Sequence, residues 1–215
     1  MPINYLSIQS PIISEIEIKK SRFITYLYPI ETEDEFQSYL AAIRKEHYKA
    51  NHHCQAFILN EDSSIQRMSD DGEPSGTAGV PMLEVLKNNE LTYVMAVTVR
   101  YFGGTKLGAG GLIRAYSSAV SDALNEATII KNITQTMVNL VIDYSLNDTF
   151  TYLMSETDLP ITIMDTQYTD KVTYQLAIDQ DQVETVYGKL VERFNGQLEW
   201  NELGEQTVDI PVKSE

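Results

Sequence analysis

The chain has 215 residues and carries 16 Lys/Arg against 31 Asp/Glu, a formal net charge of −15. That length makes one large domain or two small ones, and an apolar fraction of 43% with 22% charged residues excludes a disordered or fibrous chain. The apolar runs are too short to span a membrane, no basic and apolar leader opens the chain, and a single cysteine, Cys54, excludes an internal disulfide and suits a reducing cytosol.

The charge is unevenly spread. Residues 1–131 hold 12 Lys/Arg against 16 Asp/Glu, a net of −4, whereas residues 132–215 hold 4 against 15, a net of −11. An acidic C-terminal half is poorly suited to attracting a phosphate backbone, although such a surface also simply keeps a protein soluble. Any nucleic-acid contact is therefore expected from the first half or from a local patch.

In chain order, Ile12–Ile18 alternates apolar and polar residues as a half-buried strand does, and Phe23–Tyr28 continues as a second. Thr32 with Glu35 three residues on makes a capping box, opening a helix with Phe36, Tyr39, Leu40 and Ile43 as its apolar stripe. Cys54–Leu59 reads as a strand, and Val80–Leu86 as a short helix entered through Pro81. Tyr93–Tyr101 is the strongest strand pattern and is expected at a sheet centre. Leu112–Ala127 is a helix with Ala115, Ala119 and Ala123 on one close-packing face. Lys131–Thr136 lacks periodicity and bulky core residues, which puts the domain boundary there. The rest reads as strand Met137–Tyr144, helix Asp148–Thr157, strand Ile161–Tyr168, strand Val172–Ile178, helix Gln182–Phe194 and strand Gln197–Asp209, with Thr169–Asp170 as the middle turn. That β-α-β-β-α-β order is the ferredoxin-like pattern.

Eight of the eleven glycines fall in two segments, DDGEPSGTAGVP and RYFGGTKLGAGGLIRAY: Gly72, Gly76, Gly79, Gly103, Gly104, Gly108, Gly110 and Gly111. In the second, a strand runs through a glycine turn into a helix, a junction whose free N–H groups and dipole suit an anion. Lys106 lies in that turn, with Arg100 and Arg114 flanking it, each able to grip a phosphate or carboxylate. The candidate anion- or nucleic-acid-binding set is Arg100, Gly103, Gly104, Lys106, Gly108, Gly110 and Arg114. The spacing is neither a Walker A loop nor a dinucleotide fingerprint, and the same glycines would equally permit tight helix–sheet packing. In the first segment, Asp70, Asp71 and Glu73 could hold Mg²⁺ with a substrate phosphate or move a proton. They would also serve as turn and cap residues, or pair with Arg67, Arg100 or Arg114. His47, His52, His53 and Cys54 have no zinc-finger spacing; Cys54 is expected in the core and the histidines on a surface or cleft, and no metal is expected. Tyr101 and Phe102 could stack on bases but read more readily as core.

With these residues in hand, the chain resembles the IMPACT/YigZ family. The resemblance rests on SRFI (Ser21–Ile24), the Ala50–Ala56 run, RMSDDGEPSGTAGVPML (Arg67–Leu83) and RYFGGTKLGAGGLIRAYSSA (Arg100–Ala119), and it extends through most of residues 15–127. It implies an α+β protein: an N-terminal domain, residues 1–131, folded like the second domain of ribosomal protein S-five, then a ferredoxin-like βαββαβ domain, residues 137–210, similar to the last domain of translocation factors. It also implies an association with translational control, and it transfers no catalytic residue. The expected function is a non-enzymatic binding or regulatory protein, cytoplasmic, without a cofactor and away from membranes, with the ribosome, RNA or a translation-related protein as partner. The alternatives are a phosphate-substrate or nucleotide-binding enzyme using the glycine turn with Asp70, Asp71 and Glu73, and a protein–protein adaptor.

Overall fold

A computed structural model describes residues 3–157 and 159–212 of the chain. The chain divides into two compact units. One is built on Tyr5–Lys131 with the segment from Ile210, the other on Asn132–Asp209 with the chain up to Asn4.

In the first unit β2 (Ile12–Ile18), β3 (Ser21–Pro29), β6 (Val94–Tyr101), β4 (His52–Leu59) and β5 (Ile65–Ser69) form an antiparallel sheet in the order β2-β3-β6-β4-β5. β6 takes the centre because it is apolar on both faces, and all its residues but Tyr101 are buried. Its alternation serves two layers. Val97 and Val99 join Tyr26 and Phe57 under α1 (Glu33–Glu46), which contributes Phe36, Leu40 and Ile43. Ala96, with Cys54, Ala56 and Phe23, faces α2 (Gly79–Asn88) and α3 (Ala109–Glu126). The small residues Ala115, Ala119 and Ala123 of α3 are all buried on that face, as their four-residue spacing predicts. Thr98 is buried among them with its hydroxyl 2.9 Å from that of Thr25, so neither polar atom is left alone.

Local signals decide the ends of these elements. β2 and β3 are joined by Lys19 and Lys20, both with positive φ, the backbone of a tight two-residue hairpin loop. Thr32 caps α1 by accepting from the Glu35 N–H at 3.2 Å, and the Glu35 carboxylate accepts from the Glu31 N–H at 2.6 Å. The reciprocal bond of the expected capping box thus reaches one residue further back. Pro81 sits in the first turn of α2, where its missing N–H has no helical acceptor to lose.

The second unit runs β7 (Ile129–Ile142), α4 (Tyr144–Glu156), β8 (Ile161–Tyr168), β9 (Val172–Asp179), α5 (Val183–Arg193) and β10 (Glu199–Pro211). β8 and β7 flank β9 antiparallel and β10 pairs with β7, the strand order 4-1-3-2 of a ferredoxin-like domain. Its core is Val138, Leu140, Val172 and Leu176 under Phe150, Val186 and Leu190. β7 also pairs with β1 (Ile3–Ile8), an element the sequence pattern does not announce.

The stretch 131–136, where the domain boundary is expected, lies inside β7. Its polar residues have cross-strand partners: Asn132 donates to Asp209 and accepts from Asn4, and Gln135 donates to Asp179 at 3.0 Å. Among the described residues no helix is long and apolar enough to cross a membrane.

Thr32→Ala removes the hydroxyl that caps the start of α1. Urea unfolding is expected to show a loss of about 1 kcal/mol.

Candidate anion-binding site

The two glycine segments meet in the first unit. Glu73, from the loop before α2, and Arg100, at the end of β6, form an ion pair of 2.6 Å with side chains 3% and 6% exposed. The same Glu73 oxygen, Oε1, accepts from the Tyr116 hydroxyl of α3 at 2.8 Å. Arg100 Nη2 donates to the Ser21 hydroxyl at 3.3 Å, which also accepts from the Gly103 N–H. Its guanidinium carbon lies over the rings of Phe23 and Phe102, 5.4 and 5.6 Å from their centroids. Arg100 is therefore a wall of the site, already engaged with a carboxylate, rather than a free anion ligand.

The other two carboxylates of the DDGE run serve the backbone. Asp70 accepts from the N–H groups of Gly76 at 2.8 Å, Ala78 at 3.0 Å and Gly79 at 2.8 Å. It thereby caps α2 from eight residues upstream, where Ala78 offers no side-chain acceptor. Burial acts to raise its pKa, but the three N–H donors outweigh that and hold it below the ordinary carboxylate value. Asp71 accepts from the His53 N–H at 2.6 Å and pairs with Arg44 at 3.1 Å. Its carbonyl lies 2.9 Å from His52 Nδ1. A carbonyl only accepts, so Nδ1 carries a proton and, in the neutral ring, Nε2 is left as an acceptor. That nitrogen lies 3.8 Å from Glu73 Oε2.

His53 points to the opposite face, where its Nε2 donates to the His47 carbonyl at 3.1 Å. Cys54 is fully buried with its sulfur 3.0 Å from the Asp70 carbonyl and 3.3 Å from the Tyr116 hydroxyl. Burial pushes its pKa up to about 12, which favours the thiol over the nucleophilic thiolate. Among the described residues no group of three or more His, Cys, Asp or Glu is arranged to hold a metal ion.

The glycine turn divides by task. Gly103 packs its Cα against the Lys20 backbone, where a Cβ would overlap the carbonyl, so only glycine fits. Gly104 has positive φ with open space around it. Gly108 precedes α3 with φ 71° and offers no side-chain cap, and the first turn of the helix carries no acidic residue. The N–H groups of Ala109, Gly110 and Gly111 therefore begin a helix with its positive end uncovered; the first helical bond is Leu112 N–H to the Gly108 carbonyl. Arg114, exposed one turn on, reaches back over this end, its Nη1 3.7 Å from where a Cβ on Gly110 would stand.

Beside that helix end lies a cavity of about 450 Å³ lined by Asn51, His52, Glu73, Pro74, Arg100, Phe102, Lys106, Leu107, Gly108, Ala109 and Leu112. Of the residues singled out from the sequence, Glu73, Arg100, Lys106 and Gly108 line it together. Gly103, Gly104, Gly110 and Arg114 do not line it, and neither do Asp70 and Asp71. His52, expected on a surface or cleft, joins it, as does Phe102, weighed for base stacking but read more readily as core; Asn51 was not singled out. The strand alternation that puts His52 on the Cys54 face was the available signal for the first. Phe102, read as core, is 46% exposed on the cavity.

Two family models match the chain: the Impact N-terminal domain over residues 19–124, and a domain of unknown function (DUF1949) over residues 140–197. The IMPACT family member YvyE of Bacillus subtilis (strain 168) is 38% identical over 204 residues, 95% of this chain and 93% of that protein. The IMPACT family member YigZ of Escherichia coli (strain K12) is 35% identical over 192 residues, 88% of this chain and 93% of that protein. A crystal structure described as that of a hypothetical protein is 34% identical, with a TM-score of 0.58 over 92% of this chain and 96% of that one.

Glu73→Ala strands the Arg100 charge, and chemical denaturation is expected to register a loss of about 3–5 kcal/mol. Asp70→Asn tests the α2 cap. Because the folded-state pKa of Asp70 is lowered, its stabilisation is present above its unfolded value of about 3.9 and is lost as pH falls through the folded value. The variant is expected to melt lower at neutral pH and to lose less stability than the parent on acidification below about pH 4.

Proposed function

The chain belongs to the IMPACT family, and on that footing we propose that it is a non-enzymatic binding protein acting in translation, whose N-terminal unit takes phosphate groups of RNA in the cleft beside α3. The observation that carries this reading is the uncovered N-terminus of α3 opening on a cavity together with Lys106. The cavity's own carboxylate, Glu73, is already paired with Arg100, so Lys106 and the helix end leave the lining positive. Arg114 adds a second cation above the first turn. The acidic second unit cannot attract RNA over long range; its role is to contact protein or to repel RNA that is not held in the cleft.

A phosphate-substrate enzyme working through Asp70, Asp71 and Glu73 has less support. The first is spent on α2, the second on Arg44 and His53, and the third on Arg100 and Tyr116. None is free to bind Mg²⁺ without breaking a bond that holds the loop.

Co-sedimentation with ribosomes and filter binding of single-stranded RNA across a salt series test the reading. Association is expected to weaken with salt. Lys106→Ala with Arg114→Ala is expected to weaken it roughly tenfold and to lower the slope of log affinity against log salt by about 0.7 for each phosphate left without its cation. Association absent at low salt, or unchanged in the double variant, sinks the reading. Recovery of protein partners alone after nuclease treatment would replace it with an adaptor.

A further inference from the structure

The cavity beside α3 has room that a bare phosphate would leave unused. Its volume of about 450 Å³ lies within the range of small-ligand sites, roughly 300–1,000 Å³. Its lining includes the Gly108–Ala109 start of α3 and Lys106. Apolar side chains, Pro74, Leu107 and buried Leu112, line it as well, and the ring of Phe102 is exposed. The buried Glu73–Arg100 pair and His52 complete the polar part of the lining. There Glu73 Oε2 lies 3.8 Å from His52 Nε2, an acceptor in the neutral ring, a spacing too long for a hydrogen bond between them.

We propose that this cavity is a single-nucleotide site that takes a terminal phosphate on the α3 N-terminus and Lys106, with the base lying on Phe102 and its polar edge against Arg100, Glu73 and His52. The inference deepens the proposed phosphate-binding role of the same cleft and rests on it. A phosphomonoester carries about −1.5 to −2 charges and three acceptor oxygens, which match the first-turn N–H groups and the ammonium better than the two oxygens and single charge of a backbone diester. The apolar lining and the aromatic ring suit a base, which stacks favourably on aromatic side chains whatever its sequence. The charge of the chain argues in the same direction. With a net charge of −15 and only Lys106 and Arg114 placed at this helix end, a long polyanion gains little beyond its first residue, whereas one terminal nucleotide gains everything the site offers. Free nucleotide and the phosphorylated end of an RNA share this chemistry.

Calorimetric titration of the full chain with inorganic phosphate, with nucleoside monophosphates, and with a short RNA bearing either a terminal phosphate or a terminal hydroxyl tests the proposal and separates the two sources. At least one monophosphate is expected to bind ten times more tightly than inorganic phosphate, and the phosphorylated RNA more tightly than its hydroxyl counterpart if the RNA end is the ligand. Phe102→Ala is expected to remove the advantage of the monophosphate over inorganic phosphate. Gly110→Asp puts a carboxylate into the first turn of α3, where it suits the helix but opposes an anion. It is expected to leave the melting temperature unchanged or higher while lowering nucleotide affinity at least tenfold. No nucleotide binding, equal binding of phosphate and nucleotides, or full affinity in Gly110→Asp overturns the proposal. Ribosome association that persists without nucleotide binding would leave the RNA reading standing and this one overturned. Nucleotide binding without ribosome or RNA association would uphold the nucleotide site and remove the RNA reading.

Discussion

The buried pair between Glu73 and Arg100 is the constraint on which the first unit's organisation depends. Removing two charges from water costs several kcal/mol each, and their attraction offsets this only if the remaining hydrogen-bonding groups are met. Here Tyr116 donates to the same oxygen that Arg100 binds, Ser21 accepts from another nitrogen of the guanidinium, and two aromatic rings lie within about 6 Å of it. Each partner comes from a different element: the loop before α2, the end of β6, the second turn of α3 and the first residue of β3. The pair therefore fixes where the glycine turn leaves β6 and how close α3 lies to the sheet. Ser21 carries the constraint into the turn itself by accepting from the Gly103 N–H, with the Cα of Gly103 against the Lys20 backbone.

The same arrangement explains how the three helix starts of this unit differ. α1 has Thr32 as a cap and three acidic residues in its first turn. α2 has no local cap, but the Asp70 carboxylate reaches it because the Asp71–Gly76 loop is bent back with positive φ at Asp71, Gly72 and Gly76. Glu73 stands in that loop and is held by Arg100, so the loop conformation that caps α2 and the ion pair that anchors β6 support each other. α3 receives neither a cap nor an acid. Its N–H groups open on the cavity whose floor the ion pair makes, so the most strongly neutralised part of the site lies beside its least neutralised part.

Much of this was legible from the residues and some could not be. Strands and helices with strong periodicity, such as β6, α1 and the ferredoxin-like order of the second unit, follow from alternation, capping and turn chemistry that act within a few residues. β1 and the start of β7 were hidden because their signal is nonlocal. Asn132 and Gln135 look like loop residues until Asn4, Asp209 and Asp179, as many as 128 positions away, supply their partners. The site divides in the same way. Separate strand ends allowed the two glycine segments to meet without requiring it, and a pairing of Asp70, Asp71 or Glu73 with Arg67, Arg100 or Arg114 was legible only as one alternative, without the choice of partners. Arg100 and Lys106 are equally cationic in the sequence, and only the approach of Glu73 across 27 residues separates a structural cation from an available one. Asp70 and Asp71 are neighbours with the same chemistry, yet one caps a helix and the other holds a strand end and Arg44.

That division bears on how an acidic protein could recognise an acidic ligand. Net charge sets the long-range field, and at −15 the field opposes any phosphate. Recognition must then come from groups acting at hydrogen-bond distance, where screening is weak and geometry decides. Backbone N–H groups suit this purpose because they donate at short range without adding to the net charge, and a helix end orients several at once. A lysine on a glycine turn adds one charge without disturbing the buried network, since Lys106 is exposed and the turn is anchored through Gly103 instead. Strong local donation inside a repulsive field favours ligands small enough to sit wholly within the cleft, and the floor made by Glu73, Arg100 and Leu112 limits how far any ligand can enter it.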